Sequence, residues 1–169
     1  MIVTRSITEV LPAGTSVCID TSVALAYLTG TEAISASAVE LFDRCLATGR
    51  NPGAISAVCV TELLVRPFRV GSSAVSTVEG FLRHFADLRV LDIDYATARE
   101  AARIRASSGL SAPDALIVAG HVVGGTDLLV TNDATWPSRL REVGLDVAII
   151  VMRDLLATTP NGRGDPSHI

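Results

Sequence analysis

Four acidic side chains in this sequence lie where an acid needs an explanation, because their surroundings are apolar or form a turn. They are Asp20, Glu62, Asp114 and Asp133. The first and the last follow short apolar runs, the second interrupts an apolar helix, and the third opens a strongly hydrophobic helix. Clustered carboxylates repel one another, and the pKa of each rises unless a cation neutralises the group. Carboxylate oxygens without histidine or cysteine suit Mg²⁺ or Mn²⁺, which polarises a phosphoryl oxygen and activates water.

Each of these acids also has a purely structural interpretation. Asp20 is a favourable N-cap for the helix that follows it, and Asp114 is a first-turn residue that the helix dipole favours. Asp133 ends an Asn-Asp pair, which is typical of turns. Glu62 is the hardest to explain in this way, because its nearest basic residue along the helix is Arg66, four positions on. The spacing alone leaves both interpretations open.

The elements that position these acids alternate between strands and helices. Short apolar runs predict strands at residues 17–20, 54–56, 90–93, 128–130 and 147–151. Helical periodicity and end signals predict helices at 21–28, 35–47, 57–65, 72–88, 94–107, 115–123 and 136–143, the third of them ended by Pro67. This alternation predicts a parallel α/β sheet with helices on both faces. Because parallel strands end at one edge of a sheet, we expect Asp20 and Asp133 to converge there, joined by Asp114 from a helix N-terminus.

The two ends of the chain lie outside this alternation. Residues 1–16 are broken by Pro12 and Gly14, and we expect them to form a lead-in, either a short strand or an arm. Residues 159–169 are rich in proline, glycine and polar side chains, and we expect a flexible tail. The domain is therefore predicted at residues 17–158.

Composition limits the class of protein. The chain has 169 residues, of which 49% are hydrophobic, so it is expected to form one globular domain with a core. Its apolar runs are shorter than the roughly 18 residues of a membrane span, and no signal peptide is evident. Cys18, Cys45 and Cys59 form no metal-binding pair, so we expect buried free thiols in the cytoplasm. A net charge of −4 argues against a protein that coats nucleic acid, but it leaves room for a local basic rim.

Four motifs occur in an order that carries a family resemblance: V-C-I-D-T-S-V, T-E-L-L, P-D-A-L-I-V-A, and L-L-V-T-N-D followed by a tryptophan. In this order and spacing the chain resembles the PIN-domain ribonucleases, and among them the VapC-type toxins of bacterial toxin–antitoxin pairs. The resemblance covers residues 17–140. It implies a three-layer α/β/α sandwich with a central parallel sheet of about five strands. It also implies a metal-dependent endoribonuclease in which the four acids hold Mg²⁺ or Mn²⁺ and orient water.

The resemblance also implies supporting roles for other residues. Thr131 and Asn132 match the family's lead-in to the last acid, and we expect them to support the metal or to contact phosphate. Ser22 stands where many members carry asparagine, and its hydroxyl can still hydrogen-bond a neighbouring carboxylate. Three arginines after the second motif are expected to form a phosphate-guiding rim, unless they are ordinary solvated residues: Arg66, Arg69 and Arg83.

The implied partners are an RNA substrate, a small antitoxin and a second copy of the chain in a homodimer. The antitoxin is expected to cover the acidic groove with an arm and to offer an arginine to the carboxylates. The helices around residues 62–69 and 72–88 are the expected contact surfaces. No membrane partner is expected.

Two other classes of function compete with this interpretation. A PIN-like module that binds RNA or protein without cutting is the first, and the complete set of four acids argues against it. A phosphatase or a metal-dependent adhesion fold would also use D-T-S after the first strand. These families need a second Asp two residues on or a second Ser at position 24, where this chain has Ser22 and Ala24.

Overall fold

A parallel sheet of five strands lies at the centre of the computed structural model, which describes residues 5–156. The strands are β1 (Val17–Ile19), β2 (Gly53–Ser56), β3 (Leu88–Leu91), β4 (Leu128–Thr131) and β5 (Ile149–Val151). Their order in the sheet is β3-β2-β1-β4-β5, and all neighbouring pairs are parallel. β1 lies in the middle and is fully buried, which explains why its sequence is a continuous apolar run without alternation.

Helices connect the strands and flank the sheet. The α-helices are α1 (Ile7–Val10), α2 (Thr21–Thr29), α3 (Ser35–Val39), α4 (Ala57–Val70), α5 (Ser72–His84), α6 (Tyr95–Ser108), α7 (Ala112–Gly124) and α8 (Trp136–Glu142). A π-helix, Glu40–Leu46, continues α3, and a 3₁₀ helix, Met152–Leu156, follows β5. The predicted α/β/α fold with a parallel sheet of about five strands is confirmed. None of the helices in the described part of the chain is long and apolar enough to cross a membrane.

Helix α4 extends further than the sequence predicted. We expected it to end before Pro67, and this prediction is wrong, because Pro67 lies inside the last turn of the helix. A proline there removes one backbone hydrogen bond, but only three residues follow it before the end. The helix ends at Gly71, whose N–H donates to the Pro67 carbonyl (2.9 Å) and whose φ of 142° favours glycine.

The boundary between α5 and β3 also differs from the prediction. The helix was expected to reach Leu88 and the strand to occupy residues 90–93, but Leu88 already pairs with Gly53 in the sheet. The chain turns at Asp87, which has a φ of 55°. β3 is an edge strand in which Leu91 is buried but Val90 is exposed, so its sequence lacks the pattern of a fully buried strand. Its start is therefore fixed by the turn and by pairing, which the sequence pattern does not report.

The lead-in packs on the domain as a helix and not as the short strand that was one expectation. Ser6 caps α1 and Glu9 completes a capping box. Ile7 and Leu11 are fully buried in the core. The Glu40 carboxylate accepts a hydrogen bond from the Ile7 N–H (3.0 Å), which ties α1 to the π-helix. The tail predicted at residues 159–169 lies outside the described residues.

Asn51 fastens the lead-in, and its replacement by alanine should lower the free energy of unfolding by about 2 kcal/mol. Its fully buried side chain donates to the carbonyls of Pro12 (2.7 Å) and Thr15 (2.9 Å), and the variant removes both hydrogen bonds. Urea denaturation of both proteins measures the difference. The exposed control Thr77→Ala should change stability by less than about 0.5 kcal/mol. Equal midpoints for Asn51→Ala and the wild type would show that the lead-in is anchored elsewhere.

The three cysteines are free and buried, as predicted. Burial raises the pKa of the Cys59 thiol to about 12, and it raises the pKa of the Cys18 thiol as well. Both thiols therefore stay protonated at neutral pH. This makes them apolar packing groups beneath the carboxyl edge of the sheet and not nucleophiles.

Candidate functional site

A cleft of about 520 Å³ opens where the central strands end. Its walls contain all four acids that the sequence singled out, so the structure brings these four acids to one cleft. The residues that line this acidic cleft are Asp20, Thr21, Ser22, Glu62, Asp114, Asn132, Asp133, Trp136 and Arg153. Open parallel sheets bind ligands at this edge, beyond the carboxyl ends of the strands.

Asp20 is the most enclosed acid of the cleft, with 6% of its surface exposed. It occupies the N-cap position of α2, but its side chain makes no capping hydrogen bond. Its Oδ2 instead accepts hydrogen bonds from the hydroxyls of Ser22 (2.5 Å) and Thr131 (2.9 Å). Burial raises the pKa of Asp20, these two hydrogen bonds oppose the rise, and the charge of Asp114 adds to it. The capping interpretation of Asp20 is therefore wrong.

Thr131 and Ser22 link the ends of β1 and β4. The Thr131 hydroxyl donates to Asp20 and accepts a hydrogen bond from the Asp133 N–H (3.1 Å). The Ser22 hydroxyl accepts one from the Asn132 N–H (3.3 Å). Both hydroxyls therefore bind the Asp20 carboxylate, which follows β1, and both also bind a backbone N–H that follows β4. These contacts fix the separation of Asp20 and Asp133.

Glu62 enters the cleft from the second turn of α4. Its Oε2 accepts a hydrogen bond from the hydroxyl of Thr21, the residue after Asp20. Within residues 5–156 no ion pair joins Glu62 to Arg66, so the helical pairing considered from the sequence does not form. The position of Glu62 follows from its contact with Thr21 and from the cleft it faces.

Asp114 and Asp133 each make a local hydrogen bond as well as lining the cleft. Asp114 accepts from the Ser111 hydroxyl (2.7 Å) at the start of α7, and Ser111 caps that helix. Asp133 accepts from the Thr135 N–H (2.8 Å) in a turn. In the described chain the second oxygen of each carboxylate accepts no hydrogen bond. One oxygen of each carboxylate therefore has the structural role expected from the sequence, in the first turn of α7 for Asp114 and in a turn for Asp133. The other oxygen of each is free to bind a ligand.

The donor set of the cleft fits a hard cation. Its charged oxygen donors are all carboxylates, and the Oδ1 of Asn132 is a buried acceptor without a partner among residues 5–156. No three His, Cys, Asp or Glu side chains in that range are close enough to form a preformed metal cage. Mg²⁺ does not need one, because it keeps several of its own waters and binds proteins through one or two carboxylates. The residues present therefore suit Mg²⁺ better than a cation that needs a full set of protein ligands.

Three residues that line the cleft were not among the predicted site residues: Thr21, Trp136 and Arg153. Thr21 positions Glu62, and Arg153 lies on the β5 side of the cleft. Arg153 had a detectable signal, since it stands two residues after the last strand, at the offset that Asp133 has from β4. The three arginines expected at the rim do not line the acidic cleft. Arg66 lines a neighbouring groove, and Arg83 pairs with Glu79 (3.9 Å).

Asp20→Asn should make the folded protein more stable than the wild type at pH 7. Because the pKa of Asp20 is raised on folding, the folded state binds this proton more tightly than the unfolded chain does. Stability from this group is therefore lost as pH rises from the unfolded pKa, near 3.8, through the folded pKa. Asparagine cannot ionise, so the extra stability of the Asp20→Asn variant should shrink as the pH falls towards 3.8. Thermal unfolding from pH 4 to pH 7 measures this, and a constant difference across that range would contradict it.

Comparison with known proteins agrees with this geometry. The model of the PIN domain family matches residues 17–141. The fold resembles a chain of a toxin–antitoxin complex from Klebsiella pneumoniae, with a TM-score of 0.58, 16% identity, and coverage of 82% of this chain and 98% of that chain. It also resembles a chain of VapBC2 from Rickettsia felis bound to a promoter DNA fragment, with a TM-score of 0.56, 15% identity, and coverage of 80% and 98%.

A further solved structure with this fold is VapC20 from Mycobacterium tuberculosis, described as a toxin that cleaves the sarcin–ricin loop. Its TM-score is 0.53 at 20% identity, with coverage of 68% of this chain and 87% of that chain. Among curated protein sequences no significant match is found. At these identities the solved structures show the fold, while the family match covers most of the sequence and includes all four acids. The chain therefore belongs to the PIN domain family.

Proposed function

We propose that this chain is a metal-dependent endoribonuclease of the VapC type, a toxin that hydrolyses RNA phosphodiester bonds and is neutralised by an antitoxin. The observation that carries the proposal is the acidic cleft, which collects Asp20, Glu62, Asp114 and Asp133 at the carboxyl edge of a PIN-family sheet. Four acids around one open cleft repel a polyanion such as RNA. A bound Mg²⁺ or Mn²⁺ would neutralise that repulsion, and it would explain why four acids lie in one cleft.

In this proposal the four acids hold the cation, and the neighbouring hydroxyls hold the acids. When bound, the cation polarises the phosphoryl oxygen and lowers the pKa of water. Ser22 and Thr131 fix the rotamer of Asp20, and Thr131 also fixes the backbone at Asp133. Thr21 orients Glu62, which faces the same space and can orient the attacking water. The contributions of the chain are thus positioning and electrostatics.

RNA cleavage by the purified chain tests the proposal. Single-stranded and structured RNA should be cut in Mg²⁺ or Mn²⁺ and left intact in EDTA. Cleavage that persists in EDTA would contradict metal dependence. RNA that is bound but never cut under any of these conditions would favour the alternative, a PIN-like module that binds RNA or protein without cutting.

A groove beside the cleft supports the proposed antitoxin. It has a volume of about 390 Å³ between α2, α4 and α5, and its apolar wall includes Leu25, Leu63 and Val78. Glu62 lines both the groove and the acidic cleft, so a partner helix in the groove could place a basic residue at the acids. Substitution of the 40%-exposed Leu25 by Asp should abolish co-purification with a co-expressed antitoxin. Unchanged co-purification would place the partner elsewhere.

The homodimer and the location in the cytoplasm are part of the same proposal. An RNA substrate and three free cysteines support a reducing compartment. Light scattering of the purified chain measures the homodimer directly, since it should give twice the mass of one chain. The mass of a single chain at micromolar concentration would remove this part of the proposal.

A further inference from the structure

Arg153 is placed beside the acids by the register of the sheet. Val151, the last residue of β5, pairs with Thr131, the last residue of β4. Two residues beyond each strand end come Arg153 and Asp133, so the two side chains start at the same level of the carboxyl edge. Met152 is fully buried, which anchors the 3₁₀ helix that carries Arg153. Arg153 is therefore held at the cleft by the core and not by a flexible loop.

Within residues 5–156 the positive charge of Arg153 is not used in an ion pair. Among the nine residues that line the acidic cleft it is the one cation. In the described part of the chain no carboxylate lies within 4.0 Å of its guanidinium, and the side chain is exposed. Elsewhere in this protein an arginine that neutralises an acid forms a close ion pair, as Arg103 does with Glu100 (2.6 Å). A simple counter-ion for Asp133 would be expected to pair in the same way.

A guanidinium of this kind suits a phosphate. Its planar fork donates two parallel hydrogen bonds to the oxygens of one phosphate group. The adjacent carboxylates favour a cation on the cleft wall, and the exposed guanidinium is accessible to a phosphate from solvent. We infer that Arg153 binds a phosphate of the RNA substrate on the β5 side of the cleft, next to the phosphate that is cut. This inference deepens the proposed nuclease function and rests on it.

RNA binding, measured apart from cleavage, tests the inference. The probe is a fluorescein-labelled single-stranded RNA, and the protein carries Asp20→Asn so that it does not cut the probe. Anisotropy gives the Kd at several salt concentrations. Arg153→Gln should weaken binding about tenfold and reduce the salt slope by about 0.7, which is the loss of one phosphate contact on a single strand. Arg153→Lys should keep the salt dependence of the wild type but only part of its affinity. Lysine keeps the positive charge but cannot donate two parallel hydrogen bonds to one phosphate.

Arg44→Gln is the matched control, because it removes the same charge. Arg44 lies on the π-helix, outside the cleft, and makes only a weak pair with Glu40 (3.8 Å). It should leave both the Kd and the salt slope unchanged, and thermal melts should show that all variants are folded. If Arg153→Gln binds RNA like Arg44→Gln, the inference is overturned.

Cleavage by the chain without Asp20→Asn separates this inference from the proposed function. If the wild type cuts RNA but binding does not depend on Arg153, the function stands and the phosphate contact fails. If the wild type cuts no RNA, binding that depends on Arg153 and not on Arg44 still supports the phosphate contact. Binding that depends on neither residue overturns the contact in either case.

Discussion

Asp114→Asn should lower kcat for RNA cleavage by at least about 100-fold at saturating Mg²⁺. The substitution removes one negative charge from the cleft and one proposed ligand of the cation. Its fold should be retained, because asparagine can still accept the hydrogen bond from Ser111 at the start of α7. Initial rates of cleavage of a labelled RNA, measured on matched preparations, give the ratio.

Asp146→Asn is the control for that loss. Asp146 is also an aspartate on this acidic chain, but it is exposed and lies before β5, away from the carboxyl edge of the sheet. Its variant should cut at the rate of the wild type. Equal activity of the Asp114 and Asp146 variants would mean that the observed cleavage comes from another site or from a contaminating enzyme.

Thr131→Val should reduce cleavage by between about 10-fold and 100-fold, although Thr131 touches neither the substrate nor the cation in this account. Valine has the shape of threonine but lacks the hydroxyl. It therefore breaks the hydrogen bond to Asp20 and the one from the Asp133 N–H together. Both strand-end acids lose a positioning contact, and the Asp133 N–H loses its partner. The kinetic constants of the variant, with Mn²⁺ affinity by calorimetry, measure the effect.

Thr131→Ser separates positioning from packing. Serine keeps the hydroxyl and loses only a methyl group, so it should restore most of the activity and of the Mn²⁺ affinity. A serine variant as weak as the valine variant would show that the methyl group of this fully buried residue matters more than its hydrogen bonds.

The convergence of Asp20 and Asp133 could be predicted because strand polarity determines it. Both residues follow short apolar runs, and parallel neighbours must end at the same edge. Asp114 could be placed as well, since Ser111 and Pro113 mark the start of α7. The sequence does not contain the information on which hydroxyl binds which carboxylate. The link from Thr131 to Asp20 spans 111 positions and depends on the strand register.

The predictions that failed have a common physical cause. Pro67 is a strong local signal, but its effect depends on how much of the helix follows it, and the helix ends at Gly71. β3 begins two residues early because pairing with β2 and the turn at Asp87 decide its start. Arg153 was not predicted at the site, although it stands two residues after a predicted strand. Only the pairing of β5 with β4 shows that it starts at the same level of the sheet edge as Asp133.

The dependence of RNA cleavage on Mn²⁺ concentration, measured for the wild type and for Asp20→Asn, tests most directly whether the acidic cleft is a metal-dependent nuclease site. If the acidic cleft is one metal-dependent nuclease site, the wild type should be inactive in EDTA and rise to a plateau with added Mn²⁺. The variant should stay inactive or need at least about tenfold more Mn²⁺. Cleavage by the wild type in EDTA, or superimposable curves for the two proteins, would show that the acidic cleft is not a metal-dependent nuclease site.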